Sequence, residues 1–206
     1  NLLACVDKEK KISKISGDCT VSTFRTLKKF PGLIAVCPDG RVVVCERNAK
    51  QLIIVNSSGT ETPWTQQNTN VFNSVKCIAV CKYTNILAVV VDDTEWDEDD
   101  LATTVHLFDH RGQIVNKLEL NCQVFCIVSD NRGHFLLGRN NVIMIIDVRG
   151  NKLANFICSQ HSFEALSMAV DTVNQLWVGG NGQISIFKYL DVSISAAKTY
   201  SRDHMK

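Results

Sequence analysis

The sequence predicts an all-β fold: a β-propeller of about five four-stranded blades, its ring smaller than usual, open, or completed by flanking sequence. Three observations predict it. A short phrase recurs, made of an apolar strand, a turn ending in glycine and a second short strand. It reads Ile53-Ile-Val-Asn-Ser-Ser-Gly59, His106-Leu-Phe-Asp-His-Arg-Gly112 and Met144-Ile-Ile-Asp-Val-Arg-Gly150, with a weaker copy, Lys11-Ile-Ser-Lys-Ile-Ser-Gly17. The turn glycines are 42, 53 and 38 residues apart, and a period of about 40 residues built from short strands is the propeller signature. The apolar runs are also nearly continuous, as sheets covered on both faces require, and no long helical periodicity interrupts them.

The blades follow in chain order. Blade A is incomplete at its front: residues 2–7 and 11–15 form a hairpin, and 20–24 add an outer strand. Blade B is the clearest, with strands at 33–37, 42–45 and 52–55 and a fourth after Gly59. Its turn Pro38-Asp-Gly40 sits between β-branched runs, the strongest short hairpin signal. Blade C takes 75–81, 86–91, 103–108 and 113–120, and blade D takes 123–128, 134–137, 142–146 and 152–157. Blade E takes 165–170, 175–178, 183–187 and a short last strand at 192–194. The propeller thus covers 1–194, and 195–206 reads as a polar tail, helical or disordered.

Composition bounds the function. A chain of 206 residues is enough for one substantial core. No apolar run reaches the roughly 18 to 20 residues that span a bilayer, so no membrane partner is expected. A net charge of +1 predicts no strong global affinity for nucleic acid. Nine cysteines, an odd number spread through apolar strands, point to reduced thiols in a cytosolic or nuclear setting, and we expect a cytoplasmic protein. Cys77/Cys81 and Cys122/Cys126 are spaced by four, about 13 Å along a strand, too far apart to share a zinc ion; they read as core fillers.

Blade B carries a family resemblance. The stretch from Phe30 to Gly59, with Pro31, the Gly32-Leu-Ile-Ala-Val36 strand, the Asp39-Gly40 turn, Glu46 and Asn48, resembles an NHL repeat. Lys50 or Gln51 stands where that pattern has arginine, and blades D and E lose both the acidic and the arginine positions. The resemblance implies the C-terminal domain of a tripartite-motif (TRIM) E3 ubiquitin ligase. Such a domain reads protein substrates or RNA, in RNA regulation or innate immune signalling, while a RING domain elsewhere recruits the conjugating enzyme. On that reading this domain needs no cofactor, zinc belongs to a RING or B-box outside these residues, and oligomerisation belongs to upstream regions. The competing family is the WD-repeat propeller, whose Gly-His and Trp-Asp signatures are absent; it would be a scaffold for proteins alone.

In a propeller the loops between second and third strands share one end with the connections between blades. That end would collect Lys10, Lys11, Arg25, Lys28, Lys29, Arg47, Lys50 and Arg139, with Phe30 and Trp64 interleaved. Residues 1–65 hold ten Lys/Arg against six Asp/Glu, and a basic face with aromatics suits a phosphate backbone and stacked bases. Solvated loop lysines are the plainer alternative. Between residues 92 and 100, seven of nine residues are acidic. Asp93, Glu95, Trp96, Asp97, Glu98 and Asp99 read as a solvated loop, as a docking peptide anchored by Trp96, or, least well, as a calcium site lacking the turn glycine. No catalytic constellation is expected. His106 and His110 flank Asp109, but alternation on a strand puts the aspartate on the other face, and no nucleophile or metalloprotease motif accompanies them.

Overall fold

A computed structural model describes residues 2–5, 9–46, 52–64, 72, 74–92, 102–157, 164–190 and 193–201. The chain is all-β, and no helix among the described residues is long and apolar enough to cross a membrane. Five antiparallel sheets form the blades of a β-propeller. Blade A is β1 (Leu2–Cys5), β2 (Lys11–Ile15) and β3 (Val21–Thr26); blade B is β4 (Pro31–Val36), β5 (Val42–Glu46), β6 (Leu52–Val55) and β7 (Glu61–Pro63). Blade C is β8 (Val75–Val80), β9 (Leu87–Asp92), β10 (Thr103–Phe108) and β11 (Ile114–Leu120); blade D is β12 (Cys126–Ser129), β13 (His134–Arg139), β14 (Val142–Asp147) and β15 (Lys152–Ile157). Blade E is β16 (Ser167–Val170), β17 (Gln175–Gly180), β18 (Gln183–Leu190) and β19 (Ser193–Ser201). In each blade the strands pair in simple chain order.

Two expectations need correction. The polar segment beyond 194 was expected to be helical or disordered, yet β19 runs Ser193–Ser201 and pairs with β18 along its length. An outermost strand of a blade has one face toward solvent, so a polar sequence does not disqualify it; β11 and β15, the last strands of blades C and D, are mostly exposed. The second correction concerns the recurring turn in blade A. In blades B, C and D the turn is closed by paired backbone bonds, Asn56–Thr60 with Gly59–Asn56, Asp109–Gln113 with Gly112–Asp109, and Asp147–Asn151 with Gly150–Asp147. Blade A repeats them as Ser16–Thr20 and Cys19–Ser16. The residue equivalent to the turn glycines is therefore Cys19, at φ +63°, where Gly59, Gly112 and Gly150 lie at +85°, +77° and +85°. Gly17 is not the turn residue.

The turns are built by aspartate. Oδ1 of Asp109 accepts from the amides of Arg111 and Gln113, Oδ1 of Asp147 from those of Arg149 and Asn151, and Oδ1 of Asp171 from those of Val173 and Gln175. Such a side chain satisfies the amides that a tight turn leaves open. Asp130, almost wholly buried, does the same for Arg132 and His134 and meets His134 Nδ1 at 2.8 Å. Side chains also reach the turns of the next blade: Arg25 of β3 donates to the Ser57 carbonyl, Asn116 of β11 to that of Arg149, and Asn131 to that of Asp171.

Four apolar clusters fill the junctions. Ile12, Leu27, Val42, Val44 and Val55 seal A to B. Val43, Leu52, Trp64, Val89 and Phe108 belong to the B–C cluster, Val105, Leu107, Phe135 and Met144 to the C–D cluster, and Leu136, Ile143, Leu176 and Phe187 to the D–E cluster. β5 shows why the sequence reads as a continuous apolar run: Val42 and Val44 face blade A, Val43 faces blade C, and all are fully buried. Among the described residues no apolar cluster joins blade E to blade A. Trp177, on the face of blade E turned away from blade D, remains 40% exposed.

Candidate functional site

Antiparallel order puts the turns between first and second and between third and fourth strands at one end of the propeller. The loops between second and third strands, and the connections between blades, gather at the other, loop-rich end. There, at the junction of blades A and B, Lys10 Nζ lies 5.5 Å from the centroid of the Phe30 ring, a cation–π contact. Phe30 itself is 43% exposed. The amide of Leu27 donates to the Lys10 carbonyl and ties the two segments together. Lys28 is exposed beside them. Lys29 donates to Glu46 Oε2 at 2.9 Å, and Lys11 pairs with Glu9 at 3.2 Å.

The predicted basic set is only partly assembled. Lys10, Lys28 and Lys29 meet at this junction, and Lys11 is neutralised locally. Arg25 is directed to the opposite end: it donates to the Ser57 carbonyl, lies over the backbone of Gly59 and stacks on Phe24 at 5.8 Å. It ties blades A and B together and is not part of the loop-rich face. Arg139 ends β13 in blade D, with its Nε buried, and its positive charge favours the Cys122 thiolate, although burial leaves that thiol raised above its usual value. Trp64, read as a surface aromatic, is only 3% exposed and fills the B–C core. Arg47, Lys50, Asp93, Glu95, Trp96, Asp97, Glu98 and Asp99 lie outside the described residues.

The histidine beside Asp109 has a packing role. His106 lies 5.6 Å from Phe72 and stacks with Phe108 at 6.1 Å, while Asp109 caps a turn. The eight described cysteines are free thiols. Burial raises Cys37 and Cys45 to about 11 and Cys126 to about 12, so they are neutral fillers near pH 7. Among the described residues no three His, Cys, Asp or Glu side chains are placed to hold a metal ion.

A second feature was not foreseen. A cavity of about 860 Å³ occupies the propeller axis, within the size range of small-ligand pockets. β4, β8, β12 and β16 wall it with Ile34 to Val36, Ile78 to Val80, Ile127 to Ser129 and Met168 to Val170. Lys82 and Pro38 lie toward the tight-turn end. Blade A contributes Leu3, Lys14 and Phe24, one residue from each of its three strands. No local motif announces a cavity lined by strands this far apart in the chain.

Comparison with known proteins finds no matching family model and no matching curated protein. Solved structures do match. Virginiamycin B lyase from Staphylococcus aureus aligns over 97% of this chain and 68% of its own length, at 14% identity and a TM-score of 0.67. A protein assigned as a gluconolactonase aligns over 86% and 66%, at 11% identity and a TM-score of 0.63. A chain of the Mitotic Checkpoint Complex aligns over 98% and 63%, at 15% identity and a TM-score of 0.65. The chain therefore spans roughly two thirds of each of these proteins. At such identities the likeness is one of architecture, and the chain is a five-bladed β-propeller.

Proposed function

We propose that this propeller is a protein-recognition module that engages its partner at the loop-rich end, centred on the junction of blades A and B. The observation that carries the reading is the exposed Phe30 ring held against Lys10, with Lys28 unpaired among the described residues beside it. An exposed aromatic fixed by a cation is a rigid, amphipathic contact of the kind that anchors protein interfaces. A chain of the Mitotic Checkpoint Complex shares the fold, and a role in protein assemblies fits the architecture.

The finer reading follows from the resemblance of blade B: a substrate-recognition domain of a TRIM-type ligase whose catalytic RING lies elsewhere in its chain. RNA is the less favoured ligand of the same end. Glu9 and Glu46 offset Lys11 and Lys29, which reduces the charge offered to a phosphate backbone.

The test is quantitative affinity capture from cells with the wild-type chain, Phe30→Ala and Lys10→Glu, set against Arg132→Ala at the opposite end. We expect the two loop-end variants to lose the same partners at unchanged thermal stability, and Arg132→Ala to keep them. Equal recovery by all variants would overturn the reading. Filter binding of a mixed-sequence single-stranded RNA at two salt concentrations separates the alternative, since tight binding that falls steeply with salt identifies RNA as the ligand.

A further inference from the structure

A short motif recurs at the tight-turn end, opposite the loop-rich site. Asp-x-Arg-Gly occurs as Asp109-His-Arg-Gly112, Asp130-Asn-Arg-Gly133 and Asp147-Val-Arg-Gly150. All three are turns of the neighbouring blades C and D. The aspartate and the glycine belong to the turn itself: Oδ1 accepts the arginine's own amide at 2.8, 2.9 and 2.8 Å, and the glycines lie at φ +77°, +93° and +85°. The arginine is not needed for this. The equivalent position holds Asp18 in blade A, Asp39 and Ser58 in blade B, and Val173 in blade E. The backbone thus accepts an acid, a hydroxyl or an aliphatic group there, and turn geometry does not account for arginine in these three turns.

The three arginines share one surface. His134 pairs with Asp147, so the turns of Arg132 and Arg149 lie side by side in blade D, two inter-strand spacings or about 10 Å apart. The carbonyl of Arg149 accepts from Asn116 of β11, the strand that leaves the Arg111 turn. That contact brings the third arginine in from blade C. All three residues are exposed, and Arg111 and Arg149 enter no salt bridge among the described residues. Tyr83, in the neighbouring turn of blade C, is 72% exposed.

We propose that the tight-turn face of blades C and D binds an extended acidic segment of a partner protein, with carboxylates on Arg111, Arg132 and Arg149 and an apolar side chain on Tyr83. A guanidinium is a planar fork of donors that matches one carboxylate. In a polyproline II segment, three residues per turn at about 3.1 Å each put side chains i and i+3 on one side, about 9 Å apart. That spacing meets Arg132 and Arg149 together. Discrete carboxylates suit this face better than a nucleic-acid backbone does. Asp109, Asp130 and Asp147 stand in the same turns, so each positive charge comes with a negative one and the long-range field is weak. A phosphate polymer binds chiefly through that field, whereas short directional bonds are what these arginines offer. Arginine and tyrosine are also frequent anchors of protein interfaces. The face is separate from the loop-rich end, and its ligand is independent of the partner bound there.

The probe is a fluorescent peptide of repeated Glu-Pro-Ala carrying one leucine, titrated by anisotropy into the intact chain. A second peptide of the same composition has its glutamates adjacent, and a third lacks the leucine. The spaced peptide should bind more tightly than the grouped one. Arg111→Ser, Arg132→Ser and Arg149→Ser introduce the residue that blade B carries at position 58. Each should weaken binding about threefold to tenfold at unchanged thermal stability. Arg149→Lys keeps the charge but loses the fork, and should weaken binding nearly as much. Tyr83→Ala should weaken binding of the leucine peptide and leave the leucine-free one unchanged. Mixed-sequence single-stranded RNA should bind less tightly than the spaced peptide. Equal affinity for spaced and grouped peptides, full retention by Arg149→Lys, tighter binding of the RNA, or no binding at millimolar peptide would each overturn the proposal.

Discussion

Lys29, in the connection from blade A to blade B, donates to Glu46 at the end of β5, and the two side chains differ sharply in exposure, 69% against 7%. The carboxylate is the buried partner, and the exposed lysine is the group that compensates it. Lys29→Met should therefore cost about 1–3 kcal/mol, because it leaves an acceptor without its charged donor. Adding Glu46→Gln should recover part of the loss, read as a coupling energy in a urea-denaturation cycle. Additive single effects would show the pair to be uncoupled.

Cys19 gives a backbone prediction. At φ +63° a side chain is tolerated at some cost, and a β-branched one much less. Cys19→Val should destabilise by roughly 1–2 kcal/mol, whereas Cys19→Gly should be neutral or mildly stabilising. Thermal denaturation of the two variants side by side decides it, and equal losses would place the turn elsewhere.

Gly138 of β13 lies against Cys126 of β12 and Ala165, where the chain enters blade E. A Cβ built there would lie 2.5 Å from Cys126 Sγ and 3.1 Å from both Cβ and carbonyl oxygen of Ala165, where the thiol already donates to that carbonyl at 3.0 Å. Gly138→Ala should lower stability by about 1–3 kcal/mol through overpacking. Cys126→Ala in the same chain should relieve part of that loss, since the thiol is the nearest obstacle.

Thiol reactivity should divide the cysteines by location. Cys19 is exposed and should alkylate within minutes at pH 8 in the native protein. Cys37, Cys45 and Cys126 are buried and raised to about 11, 11 and 12, so they should remain unmodified until the chain is unfolded. Mass spectrometry of iodoacetamide-treated peptides reads this directly, and early labelling of Cys126 would show that the D–E junction opens.

Asp147 provides an acid limb to stability. Burial pushes its carboxyl up, but the Asn151 side chain and the amides of Asn151 and Arg149 outweigh this and hold it below its usual value. The folded value is the lower one, so this contribution is complete above the unfolded pKa of about 3.9 and is lost as pH falls through the folded value. Asp147→Asn should flatten the decline in stability below about pH 4. An unchanged acid limb would assign it to other carboxylates.

The blades were legible where local chemistry repeats. Asn56, Asp109 and Asp147 each open a turn closed by glycine three residues on, and alternation and burial fixed the strands between. Blade A was misphased because cysteine fills the left-handed position and Gly17 offers a nearby decoy. Trp64 and Arg25 were misplaced for a different reason: one enters the core that blade B shares with blade C, and the other reaches a turn 32 residues away. β19 was cut short because outermost strands are solvated and carry little apolar signal. The axial cavity left no trace in any local pattern, since it is enclosed by strands spread from Leu3 to Val170.

The four apolar clusters have a mechanical meaning. Among the described residues they couple A to B, B to C, C to D and D to E in series. Stability then passes from each blade to its neighbours, as in a linear array. A lesion in blade C should therefore loosen B and D first and reach A and E only through them, so damage fades with each junction it crosses.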